Sequence, residues 1–208
     1  MVDGGYAYGH LFVSQNKYAK EVFETLLKTI RPNRILEIGT FHGGLTLMLR
    51  DILDSIHLEN SIIKTYDINN QEFLKPLVKN RLVEVVTKNL FNEDYSDFAN
   101  SSSKNEIKKF VQNTGRTLVL CDGGCKRCEF KLIAPLIKIG DIIMAHDYAP
   151  NPKYFEEHIK NKIWDWLEIQ DSDIENSVKD YNLQPYYQDI AQKAAWVCKI
   201  KQEDFKKE

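Results

Sequence analysis

The run Arg34-Ile35-Leu36-Glu37-Ile38-Gly39-Thr40-Phe41-His42-Gly43-Gly44 constrains this chain more than any other stretch. An apolar segment ends in an acid, and a glycine-bearing turn then leads into an amphipathic segment at 45–58. A buried strand, a tight turn and a helix form the layout that binds nucleotide-like cofactors in α/β sheets. Gly39 permits the turn, and Gly43 and Gly44 are expected to keep side chains away from a ligand at the helix start. The spacing is Glu-x-Gly-x-x-x-Gly, not the Gly-x-Gly-x-x-Gly of dinucleotide folds.

The same alternation of elements continues along the chain. Before the motif, Tyr18, Val22, Leu26 and Ile30 repeat every four residues behind Ser14, a candidate N-cap, and Pro32 stops that helix. After it, strands are expected at 61–67, 81–87, 117–121, 141–145 and 194–200. Helices are expected at 106–112, 129–138 (with Pro135 tolerated near its middle) and 153–181. Residues 100–105 read as a polar surface loop. Strands alternating with helices imply a largely parallel sheet with helices on both faces. The N-terminal stretch 1–13 carries Tyr6, Tyr8, His10 and Phe12 among glycines. It reads either as an arm packing aromatics on the body or as a lid over a substrate site. The charged tail 201–208 is expected to fray.

With 208 residues, 43% apolar and 28% charged, the chain has the size and balance of one soluble globular domain. A net charge of −2 gives no reason to expect a nucleic-acid partner. No apolar run approaches the roughly 20 residues that span a bilayer. No basic-then-apolar leader opens the chain, so a cytoplasmic location is expected by default. A homodimer is expected only as the commonest oligomeric state. Cys121, Cys125 and Cys128 have the Cys-x-x-x-Cys-x-x-Cys spacing of a radical-enzyme iron–sulfur site. Cys121, however, lies inside an apolar strand, where a buried thiol needs no ligand. Structural zinc is disfavoured too, because no second Cys-x-x-Cys or His pair is present.

In such sheets ligands bind outside the carboxyl ends of the strands, so the residues there carry the information. They are Glu37, Gly39, Asp67, Asn89, Asp122, His146 and Asp147. Asp67 is placed to accept hydrogen bonds from a ribose diol. Asp122, His146 and Asp147 end adjacent strands. They form either a Mg²⁺ or Mn²⁺ site or a hydrogen-bonded acid–histidine cluster. Lys126 is a general base if desolvation depresses its pKa, whereas a solvated Lys126-Arg127 pair is the plainer reading.

Three segments in order carry a family resemblance: Leu36 to Gly44, Tyr66-Asp67-Ile68, and Asp122-Gly123-Gly124 through Gly140-Asp141 to His146-Asp147-Tyr148. Together they resemble the class I S-adenosylmethionine-dependent methyltransferases. Within that class they look like the metal-dependent small-molecule O-methyltransferases, the branch of the macrocin and mycinamicin enzymes and the cephalosporin hydroxylase-like proteins. The resemblance spans 34–148. It implies a single-domain, doubly wound Rossmann-like methyltransferase fold whose mostly parallel seven-stranded sheet ends in an antiparallel strand. Residues 34–208 would form that domain, with 1–33 as arm and first helix. It implies S-adenosylmethionine contacts from Glu37, Gly39, Thr40, Gly43, Gly44, Asp67, Ile68, Asn89, Leu90 and Asp122. A divalent ion would sit on Asp122, His146 and Asp147, and Lys126, His146 and Asp122 would be the catalytic candidates. The chain departs from the pattern in having Cys125 where relatives often place a histidine base, Leu45 where they often have serine, and His146 where an acid is common.

The expected function is methyl transfer to a hydroxyl of a small molecule, a sugar or a phenol, assisted by a divalent metal. N-methylation, metal-independent transfer and a catalytically idle cofactor-binding scaffold are the alternatives.

Overall fold

The computed structural model describes residues 4–203. An N-terminal hairpin pairs β1 (Tyr6–Tyr8) with β2 (Leu11–Val13). There follow α1 (Ala19–Ile30), β3 (Arg34–Ile38), α2 (Gly44–Ser55), β4 (Ile62–Asp67), β5 (Val83–Thr87) and α3 (Ser101–Gln112). The second half adds β6 (Thr117–Cys121), α4 (Lys126–Ile133), β7 (Ile142–Ala145), a single turn α5 (Pro152–Tyr154), α6 (Asp171–Asp180), β8 (Leu183–Pro185), α7 (Gln188–Ala191) and β9 (Val197–Lys201).

The main sheet has seven strands in the order β5-β4-β3-β6-β7-β9-β8. β3 lies between β4 and β6, parallel to both, and β9 runs antiparallel to β7 and β8. The expected fold is therefore present: a doubly wound, mostly parallel sheet whose last strand in the chain is antiparallel. Pleating distributes the apolar side chains to two cores. Ile35, Leu118, Leu120, Ile142 and Met144 face α1 and α2. Leu36, Val119, Cys121, Ile143 and Ala145 face α3, α4 and α6. Strands buried on both faces read as continuous apolar runs, and for that reason these strands are visible in sequence.

Several local expectations fail for identifiable reasons. Ser14 does not cap α1: its hydroxyl donates to Gly4 O, and α1 starts only after Tyr18, whose N–H is taken by Asn16 Oδ1. Residues 101–105 are helix, not loop, because Asn100 caps α3 by accepting from Ser103 N–H. The helix expected at 129–138 begins earlier and ends before Pro135, which cannot donate to the helix ladder. The long helix expected at 153–181 is broken. A wide turn at Phe155–Ile159 and irregular chain at 160–170 precede α6, with Trp164, Phe155 and Ile159 forming their own small core. The closing strand starts at Val197, not 194. Of the tail, Lys201 is in β9, and 204–208 lies outside the described residues. No helix among the described residues is long and apolar enough to cross a membrane.

The hairpin packs along α2: Tyr6 Oη donates to Met48 Sδ and Tyr8 Oη to Asp51 Oδ2. Its two ends reach the carboxyl edge of the sheet, where Gly4 lies against the Trp166 ring and residues 14–15 enter the site described next.

Candidate active site

Two clefts open at the carboxyl ends of β3, β4, β6 and β7 and share the wall Gly39, Asp67, Ile68, Gly123 and Gly124. The first continues over Asn89, Leu90, Phe91, Tyr95 and Glu129. The second, of about 370 Å³, continues over Phe41, Asp122, Lys126, His146, Asp147, Trp164 and Trp166.

The sharp turn after β3 creates the shared wall. Gly39 has φ +93°, a conformation L side chains rarely adopt, and the β6 end lies directly against it. Asp67, at the tip of β4, is held by two backbone donors: Phe41 N–H to Oδ2 at 2.7 Å and Asn69 N–H to Oδ1 at 2.8 Å. Its carboxylate is thereby fixed on the wall with lone pairs to spare, as a diol-binding acid requires. In the first cleft Leu90 and Phe91 are buried, and Asn89 Oδ1 accepts from Phe91 N–H. The result is a cleft with an apolar wall of Leu90 and Phe91 and Asn89 beside it.

Not every expected cofactor residue is on a wall. Glu37, Thr40, Gly43 and Gly44 stand behind the clefts. A Cβ on Gly44 would meet the Phe12 carbonyl oxygen at 2.3 Å, and one on Gly43 would meet Leu74, so these glycines make room for packing. Thr40 Oγ1 pairs with Thr65 Oγ1. Glu37 is wholly buried and receives Thr46 Oγ1 on Oε2, while its Oε1 has no partner. Burial pushes its carboxyl up to about 7, although the threonine hydroxyls pull the other way.

In the second cleft Asp122, His146 and Asp147 do come together. His146 Nδ1 lies 3.1 Å from Asp122 Oδ1 and 3.3 Å from Asp147 Oδ1. Its ring is stacked on Trp196 and tilted against Trp164, and its buried Nε2 has no partner. Burial alone would lower the imidazole pKa, but the two carboxylates outweigh it and raise it. Burial raises Asp122, with His146 opposing, while His146 and Lys126 outweigh burial at Asp147 and lower it.

Lys126, the first residue of α4, reaches into this group: Nζ lies 2.9 Å from Asp147 Oδ2 and 3.1 Å from Glu168 Oε2. The expectation of a desolvated, weakly basic Lys126 is reversed. Burial does lower its pKa, but Asp122 and Asp147 more than compensate and raise it, so the amine stays an ammonium. Arg127 is exposed, as the plainer reading had both.

Sequence reasoning missed two site residues, Gln15 and Glu129, and the hydrogen bond that Trp164 makes. Gln15, buried and with Oε1 held by Trp196 Nε1–H, donates Nε2–H to Asp122 Oδ2 at 2.8 Å. Trp164 donates its indole N–H to Asp147 Oδ1. Glu129, buried, accepts from Gly123 N–H and Cys125 N–H, each at 3.1 Å, and so holds the turn that separates the clefts. That turn is also tied by a Cys125–Cys128 disulfide, while Cys121 and Cys198 are buried free thiols.

The donors present do not fit a divalent ion. All four oxygens of Asp122 and Asp147 face N–H donors of Gln15, His146, Trp164 and Lys126. Among the described residues no group of three or more His, Cys, Asp or Glu side chains is arranged to hold a metal. The expected Asp122–His146–Asp147 trio does converge, and Asp147 is at the same time ion-paired to Lys126.

No protein-family model and no curated protein matches the chain. Solved structures do. An apo structure of CmcI superposes with a TM-score of 0.65 at 12% identity, covering 96% of this chain and 77% of that one. CmcI with Mg and SAM gives 0.61 at 12% identity, covering 95% and 77%. MycE from the mycinamycin biosynthetic pathway, in complex with Mg, SAH and mycinamycin VI, gives 0.51 at 13% identity, covering 89% and 50%. At such identities the likeness is one of fold, and that fold is the Rossmann-like methyltransferase fold.

Proposed function

We propose that the chain is an S-adenosylmethionine-dependent methyltransferase acting on a hydroxyl of a small molecule. The observation that carries this reading is the pair of clefts meeting at Gly39, Asp67 and Gly123. One is a slot for a nucleoside, with Asp67 at the ribose and Asn89, Leu90 and Phe91 at the base. The other is an aromatic-walled chamber ending in a proton-exchanging cluster. CmcI and MycE, similar in fold, have been solved with SAM and with SAH respectively, and this supports the choice of cofactor.

Bound in the first cleft, the cofactor supplies a methyl group on a sulfonium. The acceptor oxygen forms a bond to that carbon as the sulfur–carbon bond breaks, and the hydroxyl proton passes to the protein. Asp122 receives it: its carboxylate faces the second cleft, burial makes it more basic, and His146 Nδ1 at 3.1 Å shares the charge. Trp164, Trp166 and Phe41 hold the acceptor in line and exclude water, which is where most of the acceleration of such a displacement arises. Asp67 and the Gly39 turn set the other reactant. A divalent metal is no part of this reading, because the donors it would need are already paired.

Calorimetric titration with S-adenosylhomocysteine and, in parallel, NAD tests the cofactor. Saturable binding of the first and none of the second is expected; the reverse would sink the reading. Transfer of labelled methyl to a panel of phenols and sugars then tests the acceptor class. Binding without any turnover would favour an idle scaffold.

A further inference from the structure

We propose that Lys126 is the resident cation of the acceptor site, holding the position between Asp147 and Glu168 that a divalent ion would need, so that removing its ammonium opens a metal site. The inference deepens the proposed function and rests on it only for what the site is used for.

Four observations converge. Lys126 projects from the first turn of α4 with only 11% of its side chain exposed, and its Nζ lies 2.9 Å from Asp147 Oδ2. Glu168 closes the other side at 3.1 Å. Asp147 and Glu168 flank the Lys126 ammonium, and His146 links Asp147 to Asp122 beside it. The remaining oxygens of the two aspartates each face Gln15, His146 or Trp164.

An acid cluster of this kind offers the oxygen ligands that a hard divalent cation takes. Here an ammonium takes them from within the chain. A divalent ion entering beside Lys126 would meet like charge at short range, and it would compete with the ammonium for Asp147 Oδ2. With the ammonium removed, Asp147 Oδ2 and the Glu168 carboxylate lose their counter-charge and face the open cleft, the condition under which buried acids recruit a divalent ion. At the acceptor, the consequence is a fixed N–H donor and positive charge beside the oxygen that loses its proton, independent of any dissolved metal.

The test is electron paramagnetic resonance titration of Mn²⁺ with the full chain, wild type and Lys126→Ala, with S-adenosylhomocysteine binding measured on both. The expected result is no stoichiometric Mn²⁺ on the wild type up to roughly millimolar metal, the weak end for dedicated oxygen sites. The Lys126→Ala variant is expected to bind one equivalent at least about tenfold more tightly, and adding Asp147→Asn should abolish that binding. One Mn²⁺ bound by the wild type and lost in Asp147→Asn overturns the proposal. So does a folded Lys126→Ala chain that binds no better than the wild type. Should that variant fail to fold, Lys126→Gln takes its place, and the wild-type titration decides regardless. Failure to bind S-adenosylhomocysteine, with the Mn²⁺ results as expected, would instead remove the methyltransferase reading and leave the cation assignment standing.

Discussion

Gly39 and Asp122 touch backbone to backbone: a Cβ on Gly39 would lie 2.3 Å from the Asp122 carbonyl oxygen and 2.6 Å from its carbonyl carbon. The contact follows from the parallel pairing of Ile38 with Cys121, which brings the next residue of each strand to the same edge. The two clefts are divided at this point.

Gly39→Ala therefore carries two penalties, a left-handed φ of +93° and a clash with backbone that cannot rotate away. Backbone strain alone costs about 1–3 kcal/mol. Urea denaturation should show a loss at the upper end of that range or beyond. S-adenosylhomocysteine affinity should fall at least about tenfold, equivalent to ~1.4 kcal/mol. Wild-type stability and affinity in this variant would show that the wall is more pliant than the contact implies.

Asp67→Asn separates binding from folding. Asp67 is partly buried and its stabilising partners are two backbone N–H groups, one of which an amide oxygen can still satisfy. Stability should change by less than about 1 kcal/mol, the net worth of a typical hydrogen bond. Losing charge-assisted bonds to a ribose diol costs roughly 1.5–3 kcal/mol, or tenfold to a hundredfold in affinity. Calorimetry on the variant reads the affinity, and circular dichroism melting reads the stability. An unchanged affinity would move the ribose elsewhere.

The central sheet was legible because β3, β4, β6 and β7 are buried runs with little ambiguity of period, and because Gly39 and Asp67 punctuate their ends. The site was legible only where it lies on those ends: Asp122, His146 and Asp147 meet because their strands are neighbours. Gln15 sits in a segment with no periodic pattern, and its role depends on Trp196, 181 positions away. Glu129 reads as an ordinary surface acid of a helix start, yet the turn it holds folds over it. Lys126 illustrates a different limit. Sequence shows that a lysine is near acids, but whether burial or charge decides its protonation depends on distances that only the fold supplies. The 153–181 region misled because its aromatic spacing suits a helix, whereas Trp164 is committed to Asp147 and to a small core of its own.

Trp164→Phe tests that commitment. The ring can still pack against His146, but Asp147 Oδ1 loses the indole donor inside a buried cluster. A buried polar atom deprived of its partner costs about 1–3 kcal/mol. The variant should unfold at correspondingly lower urea, while S-adenosylhomocysteine binding, made in the other cleft, stays within about twofold, less than ~0.5 kcal/mol. Unchanged stability would indicate that the indole N–H contributes packing only.

Stability should also fall as pH rises from about 4.5 to about 7, and Glu37 is a principal reason. Burial lifts the pKa of its folded-state carboxyl to about 7 from the ordinary 4.5. In that window the folded chain holds a proton that the unfolded chain has released, so unfolding becomes more favourable as pH increases. Below pH 4.5 both states are protonated and the contribution is constant; above 7 both are ionised and it has been lost. A tenfold difference in proton affinity between the two states corresponds to about 1.4 kcal/mol, which bounds the effect of this residue at roughly 3 kcal/mol. Glu129, likewise raised to about 7 by burial against the pull of its backbone N–H donors, adds a slope of the same sign. Glu37→Gln keeps the shape and the Thr46 contact but cannot titrate. Urea midpoints measured between pH 4.5 and 7.5 should decline less steeply in this variant than in the wild type, and Glu37→Gln with Glu129→Gln should flatten further. A wild-type profile that rises with pH across the window would show that the buried carboxyl of Glu37 is not raised in the folded chain.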